Sequence, residues 1–130
     1  MRMELRSNAL AWNPIEAFNF TLACEDYNLH TFDLRNLSRP RRVHKGHTRA
    51  VMDVSYAPTG QEFVSASTDG SICLWPVHSS AARDIYHTKR MKRVYGARYS
   101  LDAKYIISSS WDFNLRLWKA TASEKLGPVS

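Results

Sequence analysis

The chain has 130 residues, of which 44% are hydrophobic and 23% charged, so it is long enough for one modest domain with its own core. No apolar run approaches the roughly 20 residues that span a bilayer, and the N-terminus lacks the apolar segment of a secretory signal, so we expect no membrane role. The formal net charge of +6 favours acidic partners such as RNA, although a positive surface without an RNA role is equally consistent with it.

Short runs rich in β-branched and aromatic residues, separated by turn formers, predict an all-β chain. In chain order, the predicted strands are 9–12, 20–23, 28–32, 41–44, 51–56, 62–67, 71–75, 84–86, 94–99, 104–109 and 114–118. Cys73 lies within a predicted strand and Cys24 directly follows one, and neither belongs to a Cys-x-x-Cys pair, so we expect reduced, buried thiols.

These strands belong to a repeat of 43 residues, which is the distance from Asp26 to Asp69 and again from Asp69 to Asp112. The closing aromatic residues follow the same spacing and are Phe32, Trp75 and Trp118. A unit of about 40–45 residues with several short strands is typical of one propeller blade. We therefore predict three repeats, over about 1–36, 37–77 and 78–119, within one unit that covers 1–126. An irregular or helical extension is expected over 120–130.

The strand at 71–75 carries apolar side chains on both faces. Ile72 and Leu74 point one way, and Cys73 and Trp75 point the other. A sheet with one face in water would alternate between apolar and polar residues, so this strand is expected to be covered on both sides. The prediction is a partial propeller of three stacked blades, each an antiparallel sheet of four strands, with three strands in the last.

The second repeat resembles the WD-repeat family through Gly46-His47, the serines before the turn, Asp69 and Trp75. In that family a loop histidine, a strand Ser or Thr, the turn aspartate and the tryptophan form a hydrogen-bonded network. The resemblance assigns this network to His47, to Ser65 or Ser67, and to Asp69 and Trp75. The corresponding residues of the other repeats are Asp26, Asp112 and Trp118. The Trp-Asp dipeptide of the family is absent from all three repeat ends.

Two catalytic or metal-binding alternatives are weaker than this structural interpretation. His47, Ser65 and Asp69 have the residue types of a nucleophilic triad, but no strained Gly-x-Ser-x-Gly turn accompanies them. His44 and His47 lie three residues apart, with no Cys or carboxylate nearby to complete a metal site. Without a phosphate-binding Gly-rich loop either, we expect no enzyme activity, no metal and no cofactor.

Two basic clusters precede the second and third repeats and are candidate sites for RNA or protein partners. They are Arg39, Arg41, Arg42 and Lys45 in the first cluster, and Lys89, Arg90, Lys92 and Arg93 in the second. Both are predicted to approach the same propeller face, and the alternative is a solvated positive rim. Trp111, beside the third turn, is a candidate hot spot for a protein partner, or else it packs on the adjacent turn.

Longer stretches resemble the Sof-type WD-repeat family of the small-subunit processome. They include residues 12–20, 25–29, 86–91 and 119–126. The resemblance as a whole runs from about Arg6 to Leu126, which is nearly the whole chain. It implies a non-catalytic scaffold of the nucleus and nucleolus that works in ribosomal RNA processing. The implied partners are processome proteins, small nucleolar ribonucleoprotein and pre-ribosomal RNA. The chain matches the last three blades of a longer family member.

In animals this family is also described as a substrate receptor of cullin-RING ubiquitin ligases, which is the alternative function. Such receptors carry a Trp-Asp-x-Arg box at the end of a blade, and residues 32–35 fit it with Phe32 in place of Trp. The resemblance makes Arg35 the contact to the ligase adaptor. Because known propellers use typically 4–8 blades, three cannot close a ring, and we expect a fragment, a splice form or a truncated gene product with open end faces.

Overall fold

The fold is described from a computed structural model, which covers residues 6–79, 81–87, 93–111 and 115–119, without the side chain of His87. Three antiparallel sheets of four, four and three strands account for the secondary structure of these ranges, and none of their residues is helical. Some of the predicted features lie outside the described residues. They are the site residues Asp112, Lys89, Arg90 and Lys92 and the extension 120–130.

Within each sheet, the strands pair in the order in which they follow one another in the chain. The first sheet contains β1 (Ser7–Trp12), β2 (Asn19–Cys24), β3 (Asn28–Asp33) and β4 (Arg42–Lys45). The second contains β5 (Val51–Tyr56), β6 (Glu62–Ser67), β7 (Ser71–Pro76) and β8 (Asp84–His87), and the third contains β9 (Val94–Tyr99), β10 (Tyr105–Ser110) and β11 (Leu115–Lys119). The prediction of an all-β chain with three antiparallel blades is confirmed.

The second sheet is packed between the other two. Cys73 and Trp75 of β7 belong to the core shared with the first sheet, and Ile72 and Leu74 belong to the core shared with the third. All four side chains are fully buried, as their apolar character on both faces predicts. The described sheets form an open stack, because neither the first nor the third sheet has a second neighbour. The described ranges hold no helix long and apolar enough to cross a membrane.

The two ends of the sheets differ. Turns 25–27 and 68–70 lie at the end that we call the loop end, where the connection 46–50 also arrives, since the Thr68 amide donates to the Ala50 carbonyl. Turns 13–18 and 57–61 lie at the opposite end, the turn end. There Asn13 joins two blades: its Oδ1 accepts from the Ile15 amide at 2.9 Å, and its Nδ2 donates to the Gly60 carbonyl at 3.0 Å.

The turn between β1 and β2 is one residue longer than its counterpart between β5 and β6. Trp12 pairs with Phe20, whereas Tyr56 pairs with Phe63, so the two closing pairs are not offset by the same number of residues. In β1 the equivalent positions of the second repeat are therefore 44 residues away, and Trp12 corresponds to Tyr56. A uniform period of 43 residues predicts a match that is off by one residue, so this period is wrong for β1.

Candidate functional site

A linear chain of hydrogen bonds joins four side chains of the second repeat. Trp75 Nε1 donates to Ser65 Oγ at 2.8 Å, and that hydroxyl lies 2.6 Å from His47 Nε2. His47 Nδ1 lies 3.1 Å from Asp69 Oδ2. The carboxylate only accepts, so Nδ1 carries the proton and Nε2 accepts from Ser65. The loop 46–50 is thereby tied to strands β6 and β7.

Ser65, rather than Ser67, links the histidine to the tryptophan. Ser67 Oγ instead donates to the Ala50 carbonyl at 2.9 Å and accepts from the Asp69 amide at 3.2 Å. It therefore anchors the turn and the incoming loop. The sequence leaves the two serines as alternatives, because residues two apart share one face of a regular strand and both serines precede the turn on β6.

Asp69 is held as a carboxylate. Burial raises its pKa, but hydrogen bonds from His47, Ser71 and the Thr48 amide outweigh burial and hold the pKa well below its usual range. The arrangement has the order Ser–His–Asp of a nucleophilic triad, yet Ser65 is fully buried and its oxygen accepts the Trp75 indole proton. A substrate has no access to that hydroxyl, so the geometry supports a structural network.

The other repeats keep parts of the network. In the third, Trp118 Nε1 donates to Ser108 Oγ at 2.8 Å, which repeats the bond between Trp75 and Ser65. In the first, Phe32 has no indole proton, and Leu22 occupies the position of the serine. An apolar pair thus replaces the donor and its acceptor together, so neither of these two positions leaves a buried polar group unpaired.

Asp26 lies in the first repeat at the position of Asp69 but has a different partner. Its Oδ2 is 2.8 Å from Nε2 of His30, which comes from β3 rather than from a loop. Together with Cys24, these side chains are the one group of potential metal ligands among the described residues, with ligand atoms within 4.8 Å of one another. Burial, and then Asp26, raise the pKa of Cys24 to about 12, which disfavours the thiolate that a metal bond needs.

A second buried chain of hydrogen bonds was missed by the sequence analysis. The Tyr56 hydroxyl bonds Thr21 Oγ1, which bonds Thr31 Oγ1 at 2.9 Å, which in turn lies 2.8 Å from His44 Nε2. His44 Nδ1 lies 2.9 Å from the Ser79 carbonyl oxygen. Both ring nitrogens are engaged, and burial lowers the pKa of His44 to about 4, so the ring is a neutral part of the contact between two blades.

The first basic cluster is divided between the two ends of the sheets. Arg42 Nη1 donates to the Val77 carbonyl at 2.7 Å, and the Val77 amide bonds the turn 57–61. Arg41 Nη1 reaches Asn19 Oδ1 at 3.4 Å, beside the same end. Lys45, at the other end of β4, is exposed at the loop end. The prediction that the basic clusters approach one face is therefore wrong for Arg41 and Arg42, because β4 separates them from Lys45.

Arg93 and Trp111 lie together at the loop end. The Trp111 amide donates to the Arg93 carbonyl at 2.9 Å, in the same way that the Thr68 amide donates to the Ala50 carbonyl one repeat earlier. The Trp111 side chain is 51% exposed, and Arg93 is exposed as well. An aromatic side chain and a basic side chain are therefore both exposed on residues that this backbone bond joins at the loop end of the third blade.

Arg35 lies at the turn end and is oriented by its neighbours. Its Nε and Nη2 donate to the two carboxylate oxygens of Asp33 at 3.0 and 2.8 Å, and its guanidinium carbon lies 4.8 Å from the centre of the Phe18 ring. The hydrogen bonds from Arg35 lower the pKa of Asp33 to about 2. The Arg35 side chain remains 67% exposed, so it is held in one direction and still accessible.

The open stack of antiparallel blades, with the histidine, serine, aspartate and tryptophan network of the second blade, defines a WD-repeat protein. Residues 38–76 and 85–119 match the family model of the WD domain, G-beta repeat. These ranges cover more than half of the sequence, so the chain belongs to the WD-repeat family, whose members are typically non-catalytic scaffolds.

The resemblance to Sof-type proteins is confirmed by individual relatives. The chain is 56% identical over 128 residues to the "DDB1- and CUL4-associated factor 13" of Homo sapiens and to that of Danio rerio, matching 98% of this chain and 29% of each relative. It is 52% identical over 121 residues to "Protein SOF1" of Saccharomyces cerevisiae, which matches 93% of this chain and 25% of that protein. The chain thus spans less than a third of the length of these relatives.

Proposed function

We propose that the chain forms part of a non-catalytic scaffold that binds protein and ribonucleoprotein partners during small-subunit ribosomal RNA processing in the nucleolus. The observation that carries the proposal is the loop end, where Trp111 and Arg93 of the third repeat and Lys45 are exposed. An exposed ring can stack on a base or fill a protein pocket, and cationic side chains neutralise phosphates. The identity of 52% to Protein SOF1 supports the same assignment.

RNA contact at the loop end is tested by charge reversal. We expect the double variant Lys45→Glu, Arg93→Glu to bind a single-stranded RNA oligonucleotide more weakly than the unaltered chain. Its slope of log affinity against log salt should be shallower, by about 0.7 for each phosphate that is no longer neutralised. The control is Arg39→Glu, Arg41→Glu, which changes the net charge equally and lies toward the turn end. Equal salt slopes for the two double variants would contradict the proposal.

A second candidate function, that of a ligase substrate receptor, is favoured by Arg35. The names of the animal relatives associate them with DDB1 and CUL4. Here the Asp33 carboxylate and the Phe18 ring hold an exposed guanidinium group in one orientation at the turn end, and such a pre-oriented arginine loses little side-chain entropy on binding.

Substitution of Arg35 separates the two candidates. If the chain binds DDB1 through this end, Arg35→Ala should reduce its recovery in a pull-down with purified DDB1, whereas Arg39→Ala, also exposed on the same connection, should not. RNA binding at the loop end should be unaffected by either change. Undiminished recovery with Arg35→Ala would refute the receptor function at this residue and leave the scaffold proposal standing.

A further inference from the structure

The connection between β3 and β4 carries an exposed serine. Ser38 lies within residues 34–41, which lead to the edge strand β4 of the first sheet. Its Oγ donates a hydrogen bond to Asn36 Oδ1 at 2.6 Å, and its amide donates to the same oxygen at 3.3 Å. Both residues are exposed. The hydroxyl is thus accessible, and the side chain that binds it is itself open to competition from solvent.

The charge near Ser38 distinguishes it from the other accessible hydroxyl groups. In the described part of the chain, the exposed serines and threonines are Ser7, Ser38, Thr48 and Thr59. Arg35 stands three residues before Ser38, and no other serine or threonine of the 130 residues has an arginine at that distance. Thr48 has Lys45 there instead. Protein kinases select their substrates by such charge patterns, so a kinase that requires arginine at this distance would select Ser38 alone.

The Arg35 guanidinium group is available to a carboxylate of another protein. Its Nε and Nη2 bind the Asp33 carboxylate, while its Nη1 makes no hydrogen bond within the described ranges. Exposed ion pairs of this kind are weak, so an acidic pocket of an enzyme can compete with Asp33 for the group. The planar arginine fork binds carboxylates through two parallel hydrogen bonds, which the point charge of a lysine does not.

The backbone around Ser38 can change its conformation without loss of sheet pairing. Residues 37–40 make no backbone–backbone hydrogen bond to any described residue. On either side, the Asn36 amide donates to the Asp33 carbonyl, and the Arg41 amide donates to the Thr31 carbonyl. A loop that is anchored at both ends and unpaired between them can be drawn into the cleft of an enzyme at a small cost in stability.

We propose that Ser38 is a phosphorylation site for a serine kinase that binds Arg35, three residues before the acceptor. In this reaction Ser38 Oγ attacks the γ-phosphorus of ATP held by the kinase. The bond from that phosphorus to the oxygen that bridges to the β-phosphate breaks, ADP leaves, and the hydroxyl proton passes to the catalytic aspartate of the kinase. The inference does not rest on either proposed function, because it uses only the accessibility of Ser38 and the charge of Arg35.

Treatment of the whole 130-residue chain with a purified arginine-directed kinase and MgATP tests the acceptor. The probe is the catalytic domain of calmodulin-dependent protein kinase II, and mass spectrometry of the digested product locates the phosphate. We expect one phosphate on Ser38, which Ser38→Ala abolishes. Thr48→Ala, the matched control, should be phosphorylated like the unaltered chain. Phosphate on Thr48 in place of Ser38, or no phosphate on the chain, would overturn the proposal.

Substitution of Arg35 and of its partner tests what the kinase recognises. Arg35→Ala should lower the kcat/KM of the kinase by at least about tenfold, because a charge-assisted contact to the enzyme is lost. Asp33→Asn releases Arg35 from its ion pair and should raise kcat/KM by about two- to fivefold. Arg49→Ala, at an exposed arginine that precedes no serine or threonine by three residues, is the control and should change nothing. Far-UV circular dichroism checks that every variant retains its sheets. An unchanged kcat/KM for Arg35→Ala, or a lower one for Asp33→Asn, would overturn the proposal.

Discussion

Two acceptors, the Ser79 carbonyl and the Asp69 carboxylate, fix the direction of all the hydrogen bonds connected to them. The Ser79 carbonyl can only accept, so His44 donates from Nδ1 and must accept at Nε2. It follows that Thr31 donates to His44, and that the hydroxyls before it donate in the same sense. The Asp69 carboxylate imposes the same order on His47 and Ser65. Each histidine is thereby restricted to one tautomer, the Nδ1–H form.

Removal of the Ser65 hydroxyl tests how much the second repeat depends on this chain of hydrogen bonds. Ser65→Ala leaves the Trp75 indole N–H and His47 Nε2 without partners in a fully buried position, so we expect it to lower the free energy of unfolding by about 1–3 kcal/mol. Trp75→Phe removes the donor and costs stability of its own. In the double variant the loss should be smaller than the sum of the two, as measured by urea denaturation. Strict additivity would contradict a direct coupling, and Ser38→Ala, at an exposed serine, is the control.

The neutral state of His44 predicts a pH dependence. Burial lowers its pKa from 6.5 to about 4, so the unfolded chain binds the proton more tightly than the folded one. Its contribution to stability is fully present above about pH 6.5 and is lost as the pH falls toward about 4, on the order of 3 kcal/mol in all. Thermal unfolding should follow this course, and His44→Gln should flatten it. His78→Gln, at an exposed histidine, should not. A His44→Gln chain with the full slope would refute the assignment.

At the scale of elements, two equivalent turns use different residues for the same backbone conformation. Tyr27 has φ of 74° and Gly70, one repeat later, has φ of 87°. The left-handed region costs a residue with a Cβ about 1–2 kcal/mol, whereas glycine adopts it freely. The Asp-Gly turn of the second repeat therefore adopts this conformation without strain, whereas Tyr27 in the first turn is strained.

Substitutions at these two turns should change the free energy of unfolding in opposite directions. We expect Gly70→Ala to lower the free energy of unfolding by about 1 kcal/mol, and Tyr27→Gly to raise it by about 0.5 kcal/mol, since relief of strain exceeds the entropy that glycine adds to the unfolded chain. Denaturant titration of both variants measures the difference. Destabilisation by Tyr27→Gly would mean that contacts of the half-exposed ring outweigh the strain.

The strands and the blade order could be predicted because their signals are local and repeated. Turn formers and apolar alternation recur at one period, and the Ile72 to Trp75 pattern shows which strand is covered on both faces. The link through Thr21 and Thr31 could not be predicted, because isolated hydroxyl residues on strands carry no pattern. The longer first turn was also hidden, since Asp26 and Phe32, which define the period, both lie after it.

Across the whole molecule, Asp53 connects two blades. Its Oδ2 accepts from the buried Ala97 amide at 3.1 Å, and its carboxylate oxygens lie 2.9 and 2.8 Å from Arg98 Nη1, which also donates to the Val54 carbonyl. The two contacts differ in environment, because the Arg98 side chain is 64% exposed whereas Asp53 is nearly covered. The amide bond is therefore expected to matter more than the ion pair.

Substitution of each partner should separate these contributions. Asp53→Ala leaves the Ala97 amide unpaired in the core between the second and third sheets, so we expect a loss of about 1–3 kcal/mol and faster hydrogen exchange at that amide. Arg98→Ala removes an exposed ion pair and should cost less than about 1 kcal/mol. Equal losses for the two variants would show that the ion pair, rather than the amide bond, couples the blades.

Pairing between consecutive strands also sets the order in which the chain can fold during synthesis. Each sheet in the described ranges is a meander of hairpins, so none has to wait for a distant strand. Translation at roughly 5–20 residues per second takes several seconds to complete a blade, whereas a hairpin forms in about 1–10 μs. The first blade can therefore be complete before the second has left the ribosome, and each new blade emerges onto a surface that is already formed. The rate of translation, rather than the rate of strand pairing, would then determine how fast the stack assembles.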